Sequence, residues 1–202
     1  MKVLLINGSS NKNGCTFRAL REIEAVLNKD KIETEIVQLG SDAIRDCIGC
    51  RTCAKNNNKC VFNDDIVNEI IEKAKTCDGF IFGSPVYYAH PSGRLLSVLD
   101  RVFYAGSKFL AYKPGAAVVS ARRAGTTAAI DVINKYFTIN NMPVVSSQYW
   151  NMVHGSKPED VEKDLEGLQT MRIIAKNMIW LLNAIKDGHP ELEIKTVTSF
   201  IR

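Results

Sequence analysis

The sequence predicts a doubly wound, three-layer α/β sandwich around a five-stranded parallel sheet. Two observations predict it. Short strand-length runs recur at residues 2–6, 32–39, 79–83, 116–120 and 143–147, most of them almost wholly apolar. Helix-length amphipathic stretches separate them, and strands that have lost the polar–apolar alternation are those covered on both faces, as in βα-wound sheets. The chain has 202 residues, which suits one domain with a full core, burying roughly 70% of the unfolded surface.

The elements follow in order. Residues 2–6 (KVLLI) read as a buried strand, 7–14 as a polar loop and 15–28 as a helix. Residues 32–39 alternate and form the second strand. A long segment, 40–63, carries four cysteines; a helix then runs to about residue 76, with Asp64 or Asp65 capping its first turn. The third strand is 79–83 (GFIFG), followed by a helix over 90–104, with Asp100 and Arg101 expected to pair at its end. The fourth strand is 116–120, with a helix at 126–139; the fifth is 143–147, with one long helix at 158–185. Residues 1–186 thus make one domain and 187–202 a C-terminal extension, whose alternation at 191–198 suggests an extra strand.

Composition narrows the function. Hydrophobic content is 46%, charged content 24% and net charge +4, ordinary values for a soluble globular chain. Lys and Arg are spread along the chain with no basic arm or aromatic-basic stripe, so nucleic acid is not an expected partner. No apolar run is long enough to span a membrane, and MKVLLING lacks the apolar core of a signal peptide. A cytoplasmic location is therefore expected, where thiols stay reduced.

Ligands of such sheets lie beyond the carboxyl ends of the strands, where the winding reverses, which directs attention to the loops after strands one, three and four. The first, Asn7-Gly8-Ser9-Ser10-Asn11-Lys12-Asn13-Gly14-Cys15-Thr16, leads into a helix N-terminus. Unpaired N–H groups, the helix dipole and the hydroxyls of Ser9, Ser10 and Thr16 suit a phosphate. A polar loop with a capped helix is the simpler alternative. Neither a dinucleotide fingerprint nor a Walker loop is present. Cys15 and Arg21 have the C-x5-R spacing of a phosphatase, but residues 16–20 read as helix with no glycine to wrap a phosphate. After the third strand, Pro85-Val86-Tyr87-Tyr88-Ala89-His90-Pro91 can wall a flat ring, or the tyrosines can pack beneath the next helix.

Taken in order, these motifs resemble the NADPH-dependent FMN reductase superfamily of flavodoxin-like proteins. The resemblance rests on Gly8-Ser9, the C-x2-C-x2-C-x6-C loop with Asp64-Asp65, Ser84-Pro85-Val86-Tyr87 and Leu99-Asp100-Arg101, and covers residues 1–186. The cysteine loop points to its iron–sulfur flavoprotein branch. The resemblance implies a flavodoxin-like fold and FMN, with Ser9, Asn11, Cys15 and Thr16 at the phosphate. It implies Pro85, Val86, Tyr87 and Tyr88 at the ring, and Ser120 and Arg122 in the third flavin loop. Ser10 and Asn11 replace the usual Pro-Arg, removing one cation from the phosphate loop. Arg122 and Arg123 can meet flavin carbonyls or nicotinamide phosphates, or simply be solvated. Tyr149-Trp150-Asn151 can cover a neighbouring subunit's flavin or pack in the core or an interface.

The cysteines Cys47, Cys50, Cys53 and Cys60 admit several uses. Zinc prefers two C-x2-C knuckles separated by a longer loop. A C-x2-C-x2-C run instead resembles the ligand run of bacterial ferredoxins, and Cys60 can supply the fourth ligand to a [4Fe–4S] cluster. Zinc, a disulfide or free thiols are the alternatives, and Cys77 reads as a small core residue. The expected activity is an FMN-dependent oxidoreductase using NAD(P)H, with electrons passing to a small-molecule or protein acceptor. The alternatives are a cluster-free NAD(P)H:FMN or quinone/nitro-compound reductase and a non-enzymatic flavodoxin-like carrier. The resemblance also implies a homodimer or homotetramer; no side chain need act as a general acid or base, because the cofactor carries the chemistry, and without a long apolar run no membrane partner is expected.

Overall fold

In the computed structural model, residues 1–191, 193, 194 and 196–198 are described. The sheet contains β1 (Lys2–Asn7), β2 (Glu33–Gln38), β3 (Gly79–Tyr87), β5 (Gly115–Ala121) and β6 (Met152–His154), in the order β2-β1-β3-β5-β6. Every pairing along that path is parallel. The two-residue β4 (His90–Pro91) folds back antiparallel on the end of β3. Winding runs outward from β1 to β2, then reverses through β3, β5 and β6, so the switch point lies between β1 and β3.

Two-residue periodicity divides the core into two layers. Leu4, Ile6, Phe80, Phe82, Ala117 and Val119 face α2 (Val67–Ala74), α3 (Gly93–Leu110) and α4 (Thr126–Ile139). Val3, Leu5, Ile81, Ala116 and Val118 face α1 (Cys15–Lys29) and α6 (Leu165–Ala184). Phe82 anchors the first layer, stacked on Phe137 at 5.5 Å and edge-on to Phe103 at 6.0 Å. The expected α/β sandwich with a parallel sheet is therefore present. Among the described residues no helix is long and apolar enough to cross a membrane.

Several expected elements differ. The strand expected at 143–147 is interrupted: Val144 makes a single parallel bridge to Gly115, and the edge resumes only at β6. Between them the chain loops out, held where the Asn151 amide donates to the Val145 carbonyl at 3.2 Å and its own carbonyl accepts from Val119 N–H at 3.0 Å. The single helix expected at 158–185 is two, α5 (Pro158–Val161) and α6. Asp164 breaks it by capping α6 through Gly167 N–H at 2.9 Å and accepting from His154 N–H at 2.6 Å. The helix expected at 90–104 begins only after Ser92, whose hydroxyl accepts from Leu95 N–H at 3.3 Å, because His90 and Pro91 are drawn into β4.

Asp100 and Arg101 do not pair. Helical geometry points adjacent residues apart: Asp100 accepts a hydrogen bond from Tyr136, and Arg101 turns inward to Asp65. Asp65 also accepts from Val67 N–H at 3.1 Å, at the start of α2 as expected. The extra strand expected at 191–198 falls partly on residues 192 and 195, outside the described residues, and the residues described there form no strand.

Candidate flavin cleft and cysteine pocket

At the carboxyl ends of β1, β3, β5 and β6 an open cleft of about 390 Å³ is lined from four loops. Its floor is the loop after β1, where Asn7, fully buried, accepts from Ser9 N–H at 3.2 Å, and Ser9 Oγ accepts from Asn11 N–H at 3.1 Å. Gly8 N–H donates to the Gly83 carbonyl at 2.8 Å, clamping this loop to β3. Gly14 precedes α1 without a side-chain cap, leaving the first-turn N–H groups without a side-chain partner beside the cleft. Such a helix start favours an anion. Thr16 and Ser120 hydroxyls meet at 2.8 Å in the interior and join the first and third loops. The Cys15 thiol donates to the Gly155 carbonyl at 3.4 Å, and burial pushes its pKa up, so it lies there as a neutral thiol.

The wall from the third strand is a hairpin. Tyr88 and Ala89 both have positive φ, 51° and 61°, the geometry of a type I′ turn usually taken by Asn-Gly. Left-handed backbone at residues with a Cβ costs about 1–2 kcal/mol each. Gly125 makes the turn fit its neighbour: its φ is 89°, and a Cβ there would lie 2.7 Å from Ala89 Cα. Only glycine lets the loop after β5 close against this hairpin.

The second candidate site is a smaller, shallow pocket formed by the excursion between β2 and α2. Cys47, Cys50, Cys53 and Cys60 all line it, with Arg101 and Tyr104. All four are free thiols. Arg51 (φ 57°), Asn57 (φ 49°) and Asn58 (φ 60°) supply the tight turns, around a single 3₁₀ turn at Thr52–Ala54. The Thr52 hydroxyl and amide hold the Cys50 thiol below its ordinary pKa. Asn68 stitches the far end, accepting from Cys60 N–H at 2.8 Å and donating to the carbonyls of Cys60 and Phe62 at 3.1 and 2.9 Å. Among the described residues no three Cys, His, Asp or Glu side chains converge as ligands of a metal ion. A mononuclear zinc site would draw its sulfurs to about 2.3 Å from one point. Four free thiols lining one pocket are the donor set that zinc or an iron–sulfur cluster takes.

Residues 1–157 match the family model of the NADPH-dependent FMN reductases. The chain belongs to that family. Within the family, it is 36% identical over 194 residues to an iron–sulfur flavoprotein of Methanocaldococcus jannaschii, covering 92% of this chain and 100% of that one. It is 29% identical over 190 residues to an iron–sulfur flavoprotein of Methanosarcina thermophila, covering 92% and 97%. Among solved structures, RosB with a bound riboflavin-phosphate intermediate superposes with a TM-score of 0.70 at 12% identity, covering 100% of this chain and 94% of that one. An archaeal flavodoxin superposes at 0.58 with 14% identity, covering 90% and 99%. The fold is flavodoxin-like.

For this FMN reductase family member, the cleft brings together Ser9, Asn11, Cys15, Thr16, Pro85, Val86, Tyr87, Ser120 and Arg122. Tyr88 is not among them: at the tip of the hairpin it is fully exposed, 103%. Ser10 and Arg123 also point to solvent. Tyr149 and Trp150 form an exposed edge-to-face pair at 4.7 Å, outside the core. Missing from the expected set are Gly155, Ser156, Lys157 and Pro158, which close the cleft from the loop after β6. The Gly-Ser-Lys-Pro run would have signalled a loop on the ligand edge had β6 been recognised as a strand. Lys157 and Arg122 are the cations lining the cleft.

Proposed function

We propose that the chain is an NAD(P)H-dependent flavin oxidoreductase of the iron–sulfur flavoprotein type, holding FMN in the cleft and a [4Fe–4S] cluster in the cysteine pocket. One observation carries the flavin reading: nine residues expected from three separate loops line a single cleft at the switch point. Ser9, Thr16 and the start of α1 would hold the phosphate, with Arg122 and Lys157 supplying charge that the phosphate loop itself lacks. Val86 and Tyr87 would flank the ring, on a hairpin fixed by Gly125. The cluster would be held by Cys47, Cys50, Cys53 and Cys60, a reading supported by their common pocket and by the names of the relatives.

When bound, FMN would take a hydride from reduced nicotinamide, and a cluster would carry electrons singly to a small-molecule or protein acceptor. The chain's own residues then bind and orient; none is assigned as acid or base. We extend the proposal to a homodimer or homotetramer in the cytoplasm, with residues 1–186 as the flavin-binding unit. A cluster-free NAD(P)H reductase is the second reading, favoured by the absence, among the described residues, of three converging ligands.

A visible spectrum of protein purified without oxygen, followed by addition of NADH or NADPH, tests this. Flavin bands on a broad iron–sulfur shoulder, bleached by the nicotinamide, are expected. Flavin alone, still bleached, selects the cluster-free reductase. Flavin that no nicotinamide reduces leaves only an electron carrier, and a protein colourless after added FMN overturns both readings.

A further inference from the structure

Two stretches of sequence far apart in the chain, the segment after the cysteines and the middle of α3, meet at one guanidinium. Arg101 is 1% exposed, the largest fully buried side chain described. Its fork spans both oxygens of Asp65, with Nη2 donating to Oδ1 at 3.1 Å. Nη1 also donates to the Arg45 carbonyl at 3.1 Å and Nη2 to the Phe62 carbonyl at 3.3 Å. The remaining N–H, on Nε, donates to Cys60 Sγ at 3.2 Å. These contacts grip the loop on both sides of the cysteine run: Arg45 precedes Cys47, while Phe62 and Asp65 follow Cys60. The Phe62 ring lies 5.4 Å from the same guanidinium and 4.9 Å from that of Arg45. An arginine guanidinium stays cationic even when buried. Among the described residues, Cys60 is the one thiol of the four that receives a hydrogen bond from a charged donor.

We propose that Arg101 is a positioning residue of the cysteine pocket: it holds Cys60 in its ligating place and, through Nε–H on that sulfur, makes the loaded pocket easier to reduce. This rests on the cluster reading above. Reduction adds negative charge that the ligand sulfurs share, and a cationic N–H on one of them stabilises that added charge. Hydrogen bonds to ligand sulfurs are one of the protein's levers on cluster potential. The arginine contributes geometry as well. A lysine offers one compact point charge and cannot span Asp65, two carbonyls and a sulfur at once.

The test compares wild-type protein with Arg101→Lys and with the double variant Arg101→Gln/Asp65→Asn. The double variant is needed because removing the arginine alone leaves a carboxylate buried without its partner. Each protein is reconstituted without oxygen from ferrous iron and sulfide. Iron per chain, flavin per chain, midpoint potential by dye-mediated titration and the rate of iron loss to a chelator are then measured. Both variants should keep wild-type flavin content, titrate at more negative potential and lose iron several-fold faster, the lysine variant less so than the double variant. Wild-type potentials and release rates in both variants overturn the proposal while leaving the cluster reading intact. Loss of flavin along with iron overturns it too, since Arg101 would then support the fold at large. Wild-type protein that binds flavin but takes up no iron removes the cluster reading and this proposal together.

Discussion

The cleft and the cysteine pocket sit on the same fold, but they are held by different means. The cleft is made of backbone: strand ends, the start of α1, a hairpin and loops clamped by main-chain bonds such as Gly8 N–H to Gly83 O. Its few side-chain links, Thr16 to Ser120 above all, are buried and neutral. The pocket is made from a loop with one 3₁₀ turn and no strand, gripped by a buried ion pair between Arg101 and Asp65 and by the Asn68 amide. The sheet therefore enforces the cleft, whereas a handful of side chains enforce the pocket. Changes to the core should damage both, and changes to the loop only one.

The largest expected effect breaks the comparison at its root. Phe82→Ala removes the core ring stacked on Phe137 and edge-on to Phe103, and should cost about 3–5 kcal/mol in urea unfolding. Flavin and iron should be lost together. Next comes Gly125→Ala, which strains the backbone at φ 89° and drives a methyl against Ala89. It should cost about 1–3 kcal/mol and weaken FMN binding, measured by flavin release on dilution, while iron content holds.

A smaller effect separates the back of the sheet from both sites. Burial alone would raise the pKa of Glu22, but hydrogen bonds from Arg172 at 2.6 Å and Arg18 at 2.8 Å outweigh it and hold the carboxylate below its ordinary value of 4.5. A depressed carboxylate contributes stability that is present above its unfolded pKa and is lost as pH falls through the folded one. Glu22→Gln should therefore cost about 1 kcal/mol at pH 7 and nothing at pH well below 4, flattening the acid limb of the stability curve. Thermal melts across that range check it.

The same contrast explains what the sequence reveals. Apolar runs such as 2–6 and 79–83 disclose strands because both faces are covered, and strand ends carry their loops to a common edge. Most of the cleft is legible for that reason. β6 is hidden because its partner edge is split by a loop, and with it went Ser156 and Lys157. Tyr88 stands apart from the cleft because a hairpin tip turns one ring of the adjacent aromatic pair out to solvent. In the pocket, cysteine spacing names the candidate ligands but not what holds them. Adjacency suggests that Asp100 and Arg101 pair, but a helix separates neighbours and brings Arg101 to Asp65 instead.

If the two sites are held independently, flavin binding does not depend on the cysteine pocket and cluster binding does. The direct measurement is the visible spectrum, with iron and FMN per chain, of Cys50→Ala beside wild type, both purified without oxygen. Equal flavin bands and FMN content are expected, with the broad shoulder and the iron present in wild type and gone from the variant. A shoulder and iron content that survive the substitution would contradict it, and so would a variant that has lost its flavin.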